Sequence, residues 1–465
     1  MTEPVTQQGA AGVVYGVIAR MLGRPPGFRL TSWDGGCAGP PGAPLTAHLT
    51  NPRAVQRLMW QPNELGLARA YITGDLLVDG DLVAAMAATF SSSAPFSTSM
   101  RGGLLQRAVA ARVAARVGAL GPPVAPPAGE VKLRGRQHSR RRDAAAVSHH
   151  YDVGNEFYRL LLDESMTYSC AYWRSDPSPA YTLADAQADK YELICRKLGL
   201  RPGMRLLDVG CGWGGMVMYA AANYGVTALG ITLSREQETL ARKRISQAGL
   251  GDAVEVRLCD YRELKHLTFD AISSIGMAEH VGAAAFAEYA GRLHGLLAGG
   301  GRLLNHQISM PDGQARQHGP SFIDRYIFPD GELLPIGQVV TALELAGFEV
   351  RDVESLRENY YLTLLQWIDN LGRNRERAVE IVGAERVRTW ELYLAGSAAA
   401  FQTGHIGIHQ TLAVKPVDGC SGLPRIREHW LVSLVSNELV TNGLAGGDRR
   451  VTIGGRGDEP PHTER

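Results

Sequence analysis

Between about residues 185 and 310 the chain alternates short apolar runs with longer stretches in which apolar residues return every three or four positions. Such alternation predicts strands and amphipathic helices in turn, and hence a parallel sheet covered by helices. Strands are expected over Arg205–Val209, Val226–Ile231, Val254–Leu258, Phe269–Ile275 and Gly301–Ile308. Helices are expected between them, for example over Arg235–Ala248 and Ala284–Leu297, the latter ended by Gly299–Gly301. Helical spacing returns over Tyr360–Leu371 and Ala384–Phe401. Open α/β sheets bind ligands beyond the carboxyl ends of their strands. The residues at those ends are Asp208 through Gly215, Thr232, Asp260, Glu279 and His306.

At 465 residues the chain is long for one domain. Residues 1–120 read as a small N-terminal α+β domain. Residues 121–143 read as a linker, with Gly121–Gly129 rich in proline and Lys132, Arg134, Arg136, Arg140, Arg141 and Arg142 forming a basic run. The sheet domain is expected over 144–443 and a disordered tail over 444–465. Within the domain, 311–335 breaks the sheet pattern with prolines, glycines and the aromatics Phe322, Tyr326 and Phe328, as a lid or substrate wall would.

A net charge of +1 gives no general attraction to nucleic acid, and the basic run lacks interleaved aromatics. Six cysteines without C-x-x-C spacing suggest neither zinc nor a disulfide framework, and point to a reducing compartment. His149 and His150 have no carboxylate or thiol at ligand spacing, so no metal is expected. No apolar run is long enough to span a bilayer, and Met1–Ala10 does not read as a secretory signal. The expected location is the cytoplasm, with peripheral contact at the inner membrane face.

The loop after the first predicted strand is Leu207-Asp-Val-Gly-Cys-Gly-Trp-Gly-Gly215. Glycines at 210, 212, 214 and 215 let backbone approach a ligand without Cβ clashes. The dinucleotide fingerprint is G-x-G-x-x-G. The D-x-G-x-G-x-G spacing here, led by Asp208, is instead similar to that of S-adenosylmethionine (SAM) methyltransferases. The expected fold is therefore α/β, a Rossmann-like class I SAM methyltransferase sheet with a smaller N-terminal α+β domain.

Further motifs narrow the reading. They are Ser148-His-His-Tyr-Asp-Val-Gly-Asn-Glu-Phe157, Met166-Thr-Tyr-Ser-Cys-Ala-Tyr-Trp173, Gly230-Ile-Thr-Leu-Ser-Arg-Glu-Gln237, Gly276-Met-Ala-Glu-His-Val-Gly282 and Phe322-Ile-Asp-Arg-Tyr-Ile-Phe-Pro329. In this order they resemble the cyclopropane-fatty-acyl-phospholipid synthase family, which includes the mycolic acid cyclopropane and methyl synthases. The resemblance covers about Ala144 to Gln410, with a looser match at Arg69-Ala-Tyr-Ile-Thr-Gly-Asp75.

The resemblance implies transfer of the SAM methyl carbon to the cis double bond of a phospholipid acyl chain, followed by proton loss that closes a cyclopropane. Such chemistry needs a dry apolar slot, electron-rich groups near a cation, and a base. Each aromatic face contributes roughly 0.5–2 kcal/mol to a nearby cation. The family's base is thought to be bicarbonate, and the matching positions here are Cys170, Glu279, His306, Ile308 and Tyr360. From donor and acceptor inventories, Glu279 would accept the bicarbonate O–H while His306 and Tyr360 donate. The family pattern places SAM against Tyr168, Ser169, the loop Asp208, Gly210, Gly212 and Gly214, then Thr232, Leu233 and Gln237, with Asp260 and Tyr261 on the adenine side.

Plainer readings stand beside these. Cys170 reads equally as packing, Tyr360 as a helix core residue, and Glu279 with His280 as a helix cap. The same attack with a different proton loss is the alternative, giving a methylene branch that a separate reductase could saturate to a methyl branch. A small-molecule methyltransferase and a non-catalytic SAM-binding module are more distant alternatives. Val109, Val113, Val117 and Leu120 share one helical face beside Arg101, Arg112 and Arg116, as an interfacial helix or an ordinary core helix would. Each basic residue near an anionic surface would add roughly 1 kcal/mol of attraction. Related enzymes make a homodimer an expectation. Two departures from the family pattern are Ser397, where a cysteine is common, and Asn305 in the strand that carries His306.

Overall fold

Seven strands form the main sheet: β5 (Arg205–Val209), β6 (Thr227–Thr232), β7 (Val254–Leu258), β8 (Phe269–Ile275), β9 (Leu297–Ser309), β10 (Glu349–Ser355) and β11 (Gly407–Val414). The structure is a computed structural model and describes residues 9–90, 104–131, 139–151, 153–312 and 321–427. The strand order is β10-β11-β9-β8-β5-β6-β7, and β11 runs antiparallel to both its neighbours. The chain builds outward from β5 to one edge through β6 and β7, then returns to its other side with β8. That reversal at the carboxyl end of β5 is where open α/β sheets leave a crevice.

Burial follows from helices on both faces. β5 and β6 are buried at consecutive positions, with Leu206 in one hydrophobic cluster and Leu207 in the other. Three predicted strands keep their bounds, and two shift at their ends. The helices Arg235–Gln247 and Ala283–Leu296 lie within a residue of expectation. Gly299–Gly301 does not end the second helix as expected, because β9 begins at Leu297 and runs through these glycines. There Gly300, at φ 76°, donates its N–H to Lys415 O at 2.7 Å, and Lys415 returns one to Gly301 O at 3.0 Å. These bonds come from residues more than a hundred positions away, which local periodicity does not register.

A smaller sheet, in the order β2-β1-β3-β4, joins β1 (Arg29–Ser32), β2 (Cys37–Ala38), β3 (Leu45–Leu49) and β4 (Leu76–Gly80). Beside it, the motif at 69–75 resolves into the end of the helix Glu64–Ile72 and a turn at Gly74 (φ 76°). The turn buries Asp75, whose carboxylate accepts from Arg57 Nε at 2.8 Å, Asn51 Nδ2 at 2.9 Å, Thr73 Oγ1 at 2.8 Å and Arg53 Nε at 3.1 Å. Desolvation raises this carboxyl, but the hydrogen bonds outweigh it and hold it below the ordinary value. Asp75→Ala strands the buried Arg57 guanidinium and is expected to cost about 3 kcal/mol in urea unfolding at pH 7. Because the folded pKa is depressed, the penalty shrinks as pH falls through it.

The proline segment has no regular structure but is held along its length. Trp60 Nε1 donates to Gly121 O (2.8 Å), Gln56 Nε2 to Pro122 O (2.7 Å) and Arg57 Nη1 to Ala125 O (2.9 Å). Of the basic run, Lys132, Arg134 and Arg136 lie outside the described residues, as do Arg101 and the tail 444–465. Arg142 is not free for a lipid surface. It forks onto Asp330 of the 311–335 segment at 2.5 and 2.7 Å. In and after the helix Leu104–Arg116, Val113 and Val117 pack on the N-terminal core, while Val109 and Leu120 remain exposed. No helix among the described residues is long and apolar enough to cross a membrane.

Candidate active site

The glycine loop turns sharply because the N–H groups of Gly210 and Cys211 both donate to Ile231 O, at 3.0 and 2.9 Å. Gly210, Gly212 and Gly214 all adopt positive φ (80°, 53° and 82°), where other residues are strained. A Cβ on Gly212 would meet nothing within 4 Å, so the loop faces open space there. Asp208, beneath the loop, accepts from Ser273 Oγ at 2.7 Å, and burial pushes its carboxyl up to about 6. At the end of β6, Thr232 Oγ1 donates to Gln237 Oε1 at 2.7 Å and accepts from Ser234 N–H at 3.1 Å. Ser234 caps the next helix, and Leu233 lies half-buried between the two hydroxyl residues. Gln237 also reaches the Tyr151 hydroxyl.

Two expected cofactor residues have side-chain partners within the fold. Asp260 is bound by Arg262 through Nε at 2.8 Å and Nη2 at 2.6 Å. Tyr261 is buried edge-on against Tyr289, with ring centroids 5.3 Å apart. Each thus has a partner within the fold.

Beyond the loop lies a cavity of about 1410 Å³ lined by Tyr168, Ser169, Cys170, Glu279, His306, Ile308 and Tyr360. These seven expected residues are brought together from separate elements. Glu279 stands on the short 3-10 turn after β8, and its Oε1 accepts from Ile308 N–H at 2.7 Å. Its Oε2 is shielded from solvent with no hydrogen-bond partner, and burial pushes the carboxyl up to about 7. His306, on β9, is 1% exposed. Its Nδ1 lies 3.3 Å from Gln410 Nε2, an amide nitrogen that can only donate. With Gln410 Nε2 as the donor, the neutral ring carries its proton on Nε2, which also has no partner. Burial, helped by Lys190 and Lys197, keeps the ring well below its ordinary pKa. A buried acceptor and a buried donor thus stand unsatisfied on residues that line one cavity, an arrangement uncommon without a ligand.

Cys170 is fully buried, and desolvation raises its thiol, so it is a neutral S–H group rather than a nucleophilic thiolate. Tyr360, on the helix Arg357–Arg373, packs against Phe401 at 4.7 Å between centroids. Asn305 donates to Gln307 Oε1 at 2.6 Å, on the strand face opposite His306, so it leaves the cavity untouched. Ser397 lines the cavity and bonds Tyr393.

Two residues escaped the sequence reading. Tyr393 accepts from Tyr168 OH at 3.1 Å and meets Phe328 and Trp390 edge-on, closing the aromatic wall. Its only sequence signal was its place four residues before Ser397 on one helix. Lys190 is buried in the helix Leu183–Leu198 and gave no signal, since a lysine in an amphipathic helix reads as surface.

Residues 138–411 match the family described as mycolic acid cyclopropane synthetase. A probable fatty acid methyltransferase of Mycobacterium tuberculosis is 41% identical over 419 residues, covering 87% of this chain and 94% of its own. The cyclopropane-fatty-acyl-phospholipid synthase of Escherichia coli is 35% identical, over 60% of this chain and 70% of its own. Among solved structures, mycolic acid cyclopropane synthase CmaA1 complexed with SAH and CTAB superposes with a TM-score of 0.55 at 34% identity, over 58% of this chain and 97% of that one. The chain belongs to the mycolic acid cyclopropane synthetase family and is a SAM-dependent C-methyltransferase acting on lipid acyl chains.

Proposed function

We propose that the chain converts the cis double bond of an unsaturated phospholipid acyl chain into a cyclopropane. The observation that carries this reading is the pair of unsatisfied buried atoms, Glu279 Oε2 and His306 Nε2, on the wall of an aromatic-lined cavity. SAM, when bound, supplies an electrophilic methyl, and bicarbonate, when bound, supplies a proton acceptor. The residues fit both. Gly212, with open space before it, leaves room for a nucleoside, and the positive φ of Gly210 and Gly214 shapes the turn. Asp208, Thr232, Leu233 and Gln237 would stand around the nucleoside, with Tyr168 and Ser169 toward the cavity. For the anion, Glu279 Oε2 would accept its O–H and His306 Nε2 would donate to another oxygen, with the Cys170 and Tyr360 hydrogens close by.

As the π electrons bond the incoming carbon, positive charge develops on the neighbouring chain carbon. The rings of Tyr168, Tyr393, Phe328 and Tyr360 face that cation and exclude the water that would quench it. Loss of one proton from the added methyl then closes the ring. Trp60 and Leu120, 51% and 61% exposed, would offer a lipid surface apolar contact.

A second reading, a methylene or methyl-branched product, is favoured by the mycobacterial relative that matches most of the chain, described as a fatty acid methyltransferase. It uses the same cation, but the hydride on the methyl-bearing carbon first moves to the cationic carbon. The added methyl then loses its proton, leaving an exocyclic methylene that a separate reductase would saturate. Incubation with SAM and vesicles of cis-unsaturated phospholipid tests both. The expected result is a gain of CH2 by mass spectrometry with cyclopropane ring protons by NMR. Exocyclic methylene protons would select the second reading, and no lipid product would overturn both.

A further inference from the structure

Lys190 is 0% exposed. Its Nζ donates to Ser169 Oγ at 2.8 Å and lies 4.5 Å over the Tyr191 ring. An ammonium has three donors, and among the described residues Ser169 is the one hydrogen-bond acceptor it meets. The carboxylates of Asp163 and Asp208 act on it through space. Both are engaged elsewhere, Asp163 with the N–H groups of Ser165 and Thr167, Asp208 with Ser273. Burial dominates, and the ammonium is destabilised until it titrates at about 7. A buried cation with so few partners is costly, and an anion close by would restore it.

Ser169 connects Lys190 to the cavity. In its ammonium form Nζ can only donate, so Ser169 Oγ then serves as acceptor on that side, which leaves its own O–H free to donate. Ser169 lines the cavity beside Cys170. The amino-acid end of SAM carries one carboxylate and one ammonium. A fixed buried cation behind a hydroxyl donor attracts the first and repels the second.

We propose that Lys190 is a positioning residue for the cofactor: acting through the Ser169 hydroxyl, it selects the carboxylate of the methionyl end and so fixes which way the sulfonium faces. This rests on the reading that Ser169 touches SAM. The competing account is that Lys190 serves only as countercharge to Asp208.

The test compares S-adenosylhomocysteine with its decarboxylated analogue, which keeps the amine and lacks the carboxylate. Both are titrated calorimetrically into the full-length protein. Wild type is expected to prefer S-adenosylhomocysteine. In Lys190→Met its affinity should fall roughly 10- to 100-fold, while that of the analogue holds or improves. Equal losses for both ligands, or no loss, would overturn the proposal in favour of the countercharge account. If Lys190→Met does not fold by circular dichroism, Ser169→Ala decides. It keeps the cation and should lose affinity for the carboxylate ligand selectively, and a parallel loss overturns the proposal. A wild type that binds neither ligand would overturn the cofactor reading itself, and the proposal with it.

Discussion

Glu279→Gln is expected to lower lipid turnover by about two to four orders of magnitude while leaving the protein folded. Oε1 is fixed as acceptor of the Ile308 N–H, so an amide in this position keeps its oxygen there and turns its NH2 toward the site of Oε2. An unsatisfied acceptor on the cavity wall then becomes a donor, in a cavity that the His306 donor also lines. The pH dependence carries its own sign. Burial raises the wild-type carboxyl to about 7, so the ionised acceptor is present only above that pH. The wild-type rate should rise through about pH 7, and Glu279→Gln should lose that limb. Stability runs the other way. A raised folded pKa means the folded state binds its proton more tightly, so wild-type stability falls between the ordinary carboxyl pKa and about 7. At pH 8 the variant should therefore melt no lower than wild type. A variant that keeps more than a tenth of wild-type turnover, or one that unfolds, would defeat this assignment.

What the sequence made legible divides by physical range. The run Arg205–Val209 and the glycines after it were readable because a buried strand and a positive-φ turn are both imposed by residues within a few positions. Glu279, His306 and Cys170 were found through motif resemblance and strand ends. What brings them together, however, is the pairing of β8 with β9 for Glu279 and His306, and for Cys170 the bond of the Ala171 N–H to Thr363 Oγ1 on the helix Arg357–Arg373. β10 and β11 themselves were missed, since their pairing joins 349–355 to 407–414 across three helices. Asp260 and Tyr261 show long- and short-range partners that the sequence did not announce. Their place at a strand end was right, but Arg262 and Tyr289 claim their side chains. Lys190 was invisible because one charged residue in an amphipathic helix carries no mark of the face it occupies. Its burial emerges only when Ser169 and Tyr191 close around it.

Gly212→Val is expected to reduce S-adenosylhomocysteine affinity by about 100-fold or more and to bring methyl transfer below detection. Two effects would contribute, and a control variant separates them. A β-branched residue at φ 53° is strained in any loop, at a cost of about 1–3 kcal/mol to the fold. The Cβ of residue 212 also projects into empty space at the mouth of the crevice, where the cofactor is proposed to lie. Gly249 offers the same strain without the second effect. It has φ 68°, nothing lies within 4 Å of a Cβ built on it, and it ends the helix Arg235–Gln247 away from the carboxyl ends of the strands. Gly249→Val should therefore lower the melting temperature by a similar amount yet bind S-adenosylhomocysteine as wild type does. Equal binding losses in the two variants would mean that loop strain spreads through the sheet and that the space before Gly212 is not where the nucleoside sits. A loss confined to Gly212→Val means that the missing side chain, rather than the turn alone, is what this position requires.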